Sequence, residues 1–155
     1  MNRKEQLDQA LEAMYFGYKA MIFQPDQRLS TLGLSRVHHR LLFFIHRQAN
    51  GSVNQLLARM DVSKQYLNQP LKKMIELGYV TQTTDVEDRR IKRLKLSNTG
   101  TKLESELTAS QHDLFKKVMT MAGKDAEQQW LSVMNLLNTE GGLTQARFPP
   151  SSTNG

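Results

Sequence analysis

The feature that most constrains this chain is a change of hydrophobic rhythm between Val53 and Gly100. Two short stretches with helical spacing come first, Val53/Leu56/Leu57/Met60 and Leu67/Leu71, separated by Asp61-Val62-Ser63. Gly78 stops the second. Period-two alternation follows in residues 79–83 and 93–97, around a charged tip, Asp85-Val86-Glu87-Asp88-Arg89-Arg90. Two helices on a three- or four-residue turn, then a hairpin, describe a winged helix-turn-helix. Ser63 caps the second helix, predicted over residues 64–77, and Asp61 supplies a turn residue that tolerates left-handed geometry.

Helical rhythm resumes on both sides. Leu7, Leu11, Met14, Tyr18 and Met21 place one apolar stripe on a helix over about residues 4–22. Pro25 is expected to end it, leaving residues 23–33 as a loop. A helix capped by Ser35 carries Val37, Leu41, Leu42, Phe44 and Ile45, apolar enough around its circumference to sit at the centre of the core. Residues 100–138 are helical again, with a break at Gly123-Lys124-Asp125 and a last helix burying Trp130, Val133, Met134 and Leu137. Residues 139–155 are rich in Gly, Pro, Ser, Thr and Asn and read as a disordered tail. The expected fold class is mainly α with a small β component, a single domain over residues 1–138 whose winged lobe spans about residues 34–98.

Charge locates the working surface. The net of +6 resolves into +3 over residues 1–51, +5 over residues 52–102 and −2 over residues 103–155. The positive excess therefore coincides with the helix-turn-helix and hairpin, where a polyanion partner would dock. On the second helix Lys64, Gln65, Tyr66, Asn68, Gln69, Lys72 and Lys73 point outward. Gln and Asn bond bidentately to adenine edges, and Lys reaches guanine or phosphate. The Ser63-capped N-terminus adds free N–H groups for a phosphate. In the hairpin, Arg89, Arg90, Lys92, Arg93 and Lys95 form a basic wing suited to the adjacent minor groove.

The segments Leu34-Ser35-Arg36-Val37, Lys73-Met74-Ile75-Glu76-Leu77-Gly78-Tyr79-Val80, the acidic and arginine-rich tip, and Leu94-Lys95-Leu96-Ser97-Asn98-Thr99-Gly100 together resemble the MarR family of bacterial transcription regulators. The resemblance covers about residues 5–138. It implies an obligate homodimer with intertwined N- and C-terminal helices, binding a pseudo-palindromic operator on double-stranded DNA. It further implies repression relieved by a small, often aromatic or phenolic ligand. Carried onto this chain, Arg90 is the side chain inserted into the minor groove and Asp88 its orienter; a carboxylate two residues away fixes an arginine by charge-assisted hydrogen bonds. Three positions depart from the family pattern: Glu87 stands where a basic or neutral residue is usual, Asp61 where glycine is frequent, and Pro70 lies inside the recognition helix. Pro70 predicts a bend or a loosened turn.

Other functions find less support. With no cysteine there is no disulfide scaffold, thiolate cage or thiol redox switch. No phosphate-cradling glycine loop or nucleophile elbow occurs, so catalysis is not expected. His38, His39, His46 and His112 lack metal-ligand spacing, and neither a metal nor a cofactor is expected. The longest apolar run, five residues from Leu41 to Ile45, cannot span a membrane, and no secretory signal is visible, which points to the cytoplasm. Tyr15, Tyr18, His39 and Phe43 are candidates to line an effector pocket, although core packing is the commoner fate of such side chains. Two alternatives share the scaffold: a winged-helix module docking a protein, and an architectural DNA binder without an effector. The hairpin cations disfavour the first.

Overall fold

The computed structural model describes residues 1–143 and is mostly helical with one small sheet. The order is α1 (Arg3–Thr31), α2 (Arg36–Arg47), β1 (Gly51–Ser52), α3 (Val53–Met60), α4 (Lys64–Glu76), β2 (Val80–Thr84), β3 (Lys92–Leu96), α5 (Asn98–Ala122) and α6 (Ala126–Glu140). Two compact units divide the chain, one spanning Met1–Asp113 and the other starting at Leu114.

In the first unit α2 is the central helix, but it is amphipathic and not apolar all round as expected: His38, His39, Leu41, Leu42 and Ile45 are buried, whereas Arg36, Arg40, His46 and Arg47 stay exposed. Leu41, Leu42 and Ile45 are fully buried and share a core with Leu56, Leu67, Met74, Val80, Leu94, Leu103 and Leu107. The sheet is antiparallel with strand order β1-β3-β2, pairing Gly51 with Leu94 and Val80 with Leu96. A two-residue strand carries no periodicity, so β1 was not foreseeable from residue pattern.

Pro25 does not end α1. The helix runs through it to Thr31, and Pro25 and Leu29 are both buried. A proline inside a helix leaves the carbonyl four residues earlier without its usual donor. Here that carbonyl belongs to Met21, and Gln111 Nε2 of α5 donates to it at 3.2 Å. Burial of Leu29 and this borrowed donor together carry the helix past the proline. Glycine ends it instead: Gly33 is left-handed at φ +67°, and Leu34 N donates back to Leu29 O at 3.0 Å.

Pro70 is tolerated as well. α4 is uninterrupted from Lys64 to Glu76 with Leu67, Leu71 and Met74 inward, so the expected loosening of a turn is absent. That inward face anchors the helix on both sides of the proline, and Tyr66, whose carbonyl loses its donor, is exposed to water.

A buried polar chain joins α2 to α5. Thr108 Oγ1 donates to Glu104 Oε1 at 2.7 Å and lies 3.2 Å from His39 Nε2. The hydroxyl has one proton, so His39 Nε2 must be the donor. Burial holds the His39 imidazole below the ordinary histidine range, partly opposed by Glu104.

In the second unit Phe115 meets Trp130 edge-on at 5.1 Å. The expected burial of α6 does not hold in a single chain: Trp130, Val133 and Leu137 are 40%, 58% and 46% exposed, and none of its residues is buried. α6 also continues two residues beyond the expected start of the tail, which from residue 144 lies outside the described residues. No described helix is long and apolar enough to cross a membrane.

Candidate nucleic-acid interface

The turn between α3 and α4 is built by its caps. Asp61 adopts left-handed geometry at φ 54°, turning the chain at the end of α3. Ser63 Oγ accepts from Tyr66 N at 3.1 Å and starts α4. Ser52 and Gln55 form a reciprocal capping box at the start of α3. With Leu67, Leu71 and Met74 seated in the core, Lys64, Gln65, Asn68, Gln69 and Lys72 are all exposed, with Tyr66 at one rim. Among the described residues no hydrogen bond engages the side chains of Gln65, Asn68 or Gln69. Lys72 makes only a 3.9 Å contact with Glu76.

Lys73 does not belong to that face. Its ammonium donates to Gly33 O at 2.7 Å, which ties α4 to the C-terminus of α1. The side chain is committed to the fold, stabilising carbonyls at a helix end.

The hairpin tip is ordered by its own carboxylates. Asp85 Oδ1 accepts from the backbone N–H of Glu87 and Asp88, at 2.9 and 3.0 Å. These bonds, led by that from Asp88, together with Arg93, hold the Asp85 carboxyl down at about 2. Asp88 Oδ1 accepts from Arg90 N and Arg90 Nε, while Oδ2 accepts from Arg90 Nη2, each at 3.0–3.1 Å. The Arg90 side chain is 91% exposed yet held by a two-pronged carboxylate fork. Its guanidinium depresses the Asp88 pKa, and Asp88 in turn raises that of Arg90. Arg89 is exposed, and Lys92 Nζ donates to Thr84 Oγ1 at 2.9 Å.

The base of the hairpin explains the Leu-Ser-x-x-Gly run. Ser97 Oγ donates to Gly78 O and accepts from Gly100 N, capping α5 while clasping the end of α4. A Cβ on Gly100 would lie 1.9 Å from Tyr79 O, so only glycine lets α5 start against the strand. Residue pattern named Asp88 and Arg90 but missed Asp85, Arg93 and Gly100 as structural determinants of the wing. The spacing Asp85-x-x-Asp88 ahead of the arginines was the available signal.

Of the residues considered for an effector, Tyr18, His39 and Phe43 come together with Asp26, Arg40 and Gln111 around a cavity of about 180 Å³ between α1, α2 and α5. Arg40 donates to Tyr18 Oη, and Arg36 pairs with Asp26 Oδ2 at 2.8 Å. Tyr15 is not there; it is exposed and packs edge-on against Phe16. Among the described residues no group of three His, Cys, Asp or Glu side chains is placed to hold a metal.

The sequence profile of the MarR family matches residues 32–91, from the end of α1 to the wing tip. Over 133 residues the chain is 32% identical to the HTH-type transcriptional regulator PetP of Rhodobacter capsulatus, covering 86% of this chain and 80% of that protein. This chain belongs to the MarR family of transcriptional regulators. As a MarR-family member it is a transcription regulator and not an enzyme. Its fold is shared with a MarR family transcription regulator at TM-score 0.71 and 17% identity, covering 89% of this chain and 91% of that one. A second similar structure is MepR of S. aureus in complex with DNA, at TM-score 0.68 and 14% identity, covering 83% and 96%.

Proposed function

We propose that this MarR-family chain is a homodimeric, sequence-specific DNA-binding repressor that works in the cytoplasm and is released from its operator by a small ligand. The observation that carries the reading is the pairing of two surfaces. α4 offers amide side chains with no partners among the described residues, and the wing offers Arg90 already aligned by Asp88. α4 enters the major groove, where Gln65, Asn68 and Gln69 read base edges and Ser63, Lys64, Tyr66 and Lys72 hold the backbone. Arg90 enters the flanking minor groove, with Arg89 and Lys92 on phosphates. MepR, whose fold this chain shares, forms a complex with DNA.

The dimer rests on uncovered apolar surface. Leu7, Leu11, Met14 and Tyr18 on α1, and Trp130, Val133 and Leu137 on α6, are each at least 40% exposed in one chain. Stripes of that kind mark association surfaces. A two-fold dimer presents two α4 helices to half-sites about one helical turn apart. For the effector, the cavity beside Tyr18 and Phe43 has room for a single aromatic ring with a polar substituent facing Arg40.

Selection from a random duplex pool, followed by competition at moderate salt, tests the reading. The expected product is a pseudo-palindrome. Binding with no preference over random duplex would refute it. Light scattering at micromolar protein is expected to give twice 17.8 kDa, and a 17.8 kDa species throughout would rule out the dimer.

A further inference from the structure

The sheet changes character at Arg93. Arg93 lies on the central strand, opposite Ser52 of β1 and Thr83 of β2. One residue outward, Lys92 pairs only with Thr84, so the three-stranded sheet becomes a two-stranded ribbon that carries the wing tip. Isolated two-stranded ribbons are marginal in water and twist more strongly than wider sheets. At that transition Arg93 Nε donates to Asp85 Oδ2 at 2.7 Å, and Arg93 Nη1 donates to Asn50 O at 3.1 Å. Asn50, left-handed at φ 63°, is itself fixed by its N–H to Leu94 O at 2.9 Å. One guanidinium thus links the corner between α2 and β1 to the residue that organises the tip. The Arg93 and Asp85 side chains are 36% and 17% exposed, against 91% for Arg90.

We infer that Arg93, though one of five cations in the hairpin, is a positioning residue: with Asp85 and Asn50 O it forms a strut that sets the pitch of the wing relative to α4. The inference rests on the DNA-binding reading above and assigns Arg93 a different task from its neighbours. A planar guanidinium has the fork to serve two acceptors at once, which a lysine ammonium on a flexible stem does not reproduce. A strut of this kind fixes the distance between major-groove and minor-groove contacts before DNA arrives, so ordering entropy is not lost on binding.

The test turns on a sign. Asp85→Asn removes a negative charge beside the wing while keeping the Oδ1 acceptor for Glu87 and Asp88. If Arg93 were a phosphate contact, freeing it would tighten binding, and Arg93→Lys would be nearly neutral. The strut requires both variants to bind the duplex selected by the wild-type protein roughly threefold to tenfold more weakly. It also requires fading hydroxyl-radical protection over the flanking minor groove and faster amide exchange at the wing tip in the DNA-free protein. Unchanged or tighter binding by Asp85→Asn, with unchanged exchange, overturns the strut. Arg90→Ala serves as the control: if it leaves the flanking footprint intact, the minor-groove reading fails, and the DNA-free exchange data still decide the strut.

Discussion

The recognition helix and the wing meet the solvent in opposite ways. On α4 the amide side chains of Gln65, Asn68 and Gln69 have no partners among the described residues, whereas at the wing Asp85, Asp88, Arg90, Lys92 and Arg93 all take part in hydrogen bonds within the hairpin or to its base. The helix leaves rotamer choice open until a partner arrives; the wing settles it during folding. Ordering a long side chain costs about 0.5–1.5 kcal/mol at an interface, so the wing meets that cost in advance. Under the proposed function, reading falls to side chains free to adapt, and reach to side chains that are not.

The harshest way to break this contrast attacks the ground both regions share. Gly100→Ala drives a Cβ into the Tyr79 carbonyl and should destabilise the protein by about 3 kcal/mol or more, seen as a large drop in the urea midpoint. Next comes Arg90→Ala, expected to weaken operator binding by roughly 2 kcal/mol, about thirtyfold in Kd, with the melting temperature unchanged. Equal affinity for the variant would mean that the prealigned guanidinium contacts nothing. Gln65→Ala should lose about 1–3 kcal/mol and relax preference at one base pair, which repeated selection with the variant would reveal. Lys72→Ala sharpens the helix side of the comparison. It should weaken binding evenly across sequences and lower the salt slope by about 1.

The smallest effect is a pH dependence. Burial keeps His39 below the ordinary histidine range, so the unfolded chain takes the proton first. The stability this group contributes is intact above about pH 6.5 and is lost as pH falls towards the folded pKa. Melting temperature should decline between pH 7 and pH 5, and His39→Gln should lessen that decline, with the remainder left to His38, which burial also holds low. Asp85, held at about 2, keeps its pair with Arg93 throughout this range, so wing order should not follow the same curve.

What could be read from residue order alone was whatever local chemistry decides. Ser35, Ser63 and Gly78 mark helix ends because capping and left-handed geometry act within a few residues. The pairing of Asp88 with Arg90 was legible for the same reason. Pro25 misled because its remedy, Gln111, is far away in sequence, and no local rule anticipates a borrowed donor. β1 exists only because β3 passes beside it. The strut escaped notice because Arg93 looks like any other cation until Asn50 O is placed against it. α6 was expected to be covered, and a single chain leaves it bare.

The amide of Gln111 has one further consequence. It lines the cavity beside Tyr18 and Phe43, and it supplies the proton that Pro25 denies to Met21. The side-chain amide nitrogen has two N–H donors, and the bond to the Met21 carbonyl uses one of them. A change at Gln111, such as Gln111→Ala, therefore alters the cavity wall and strips the Met21 carbonyl of its donor in one stroke, so the two roles cannot be separated by that substitution.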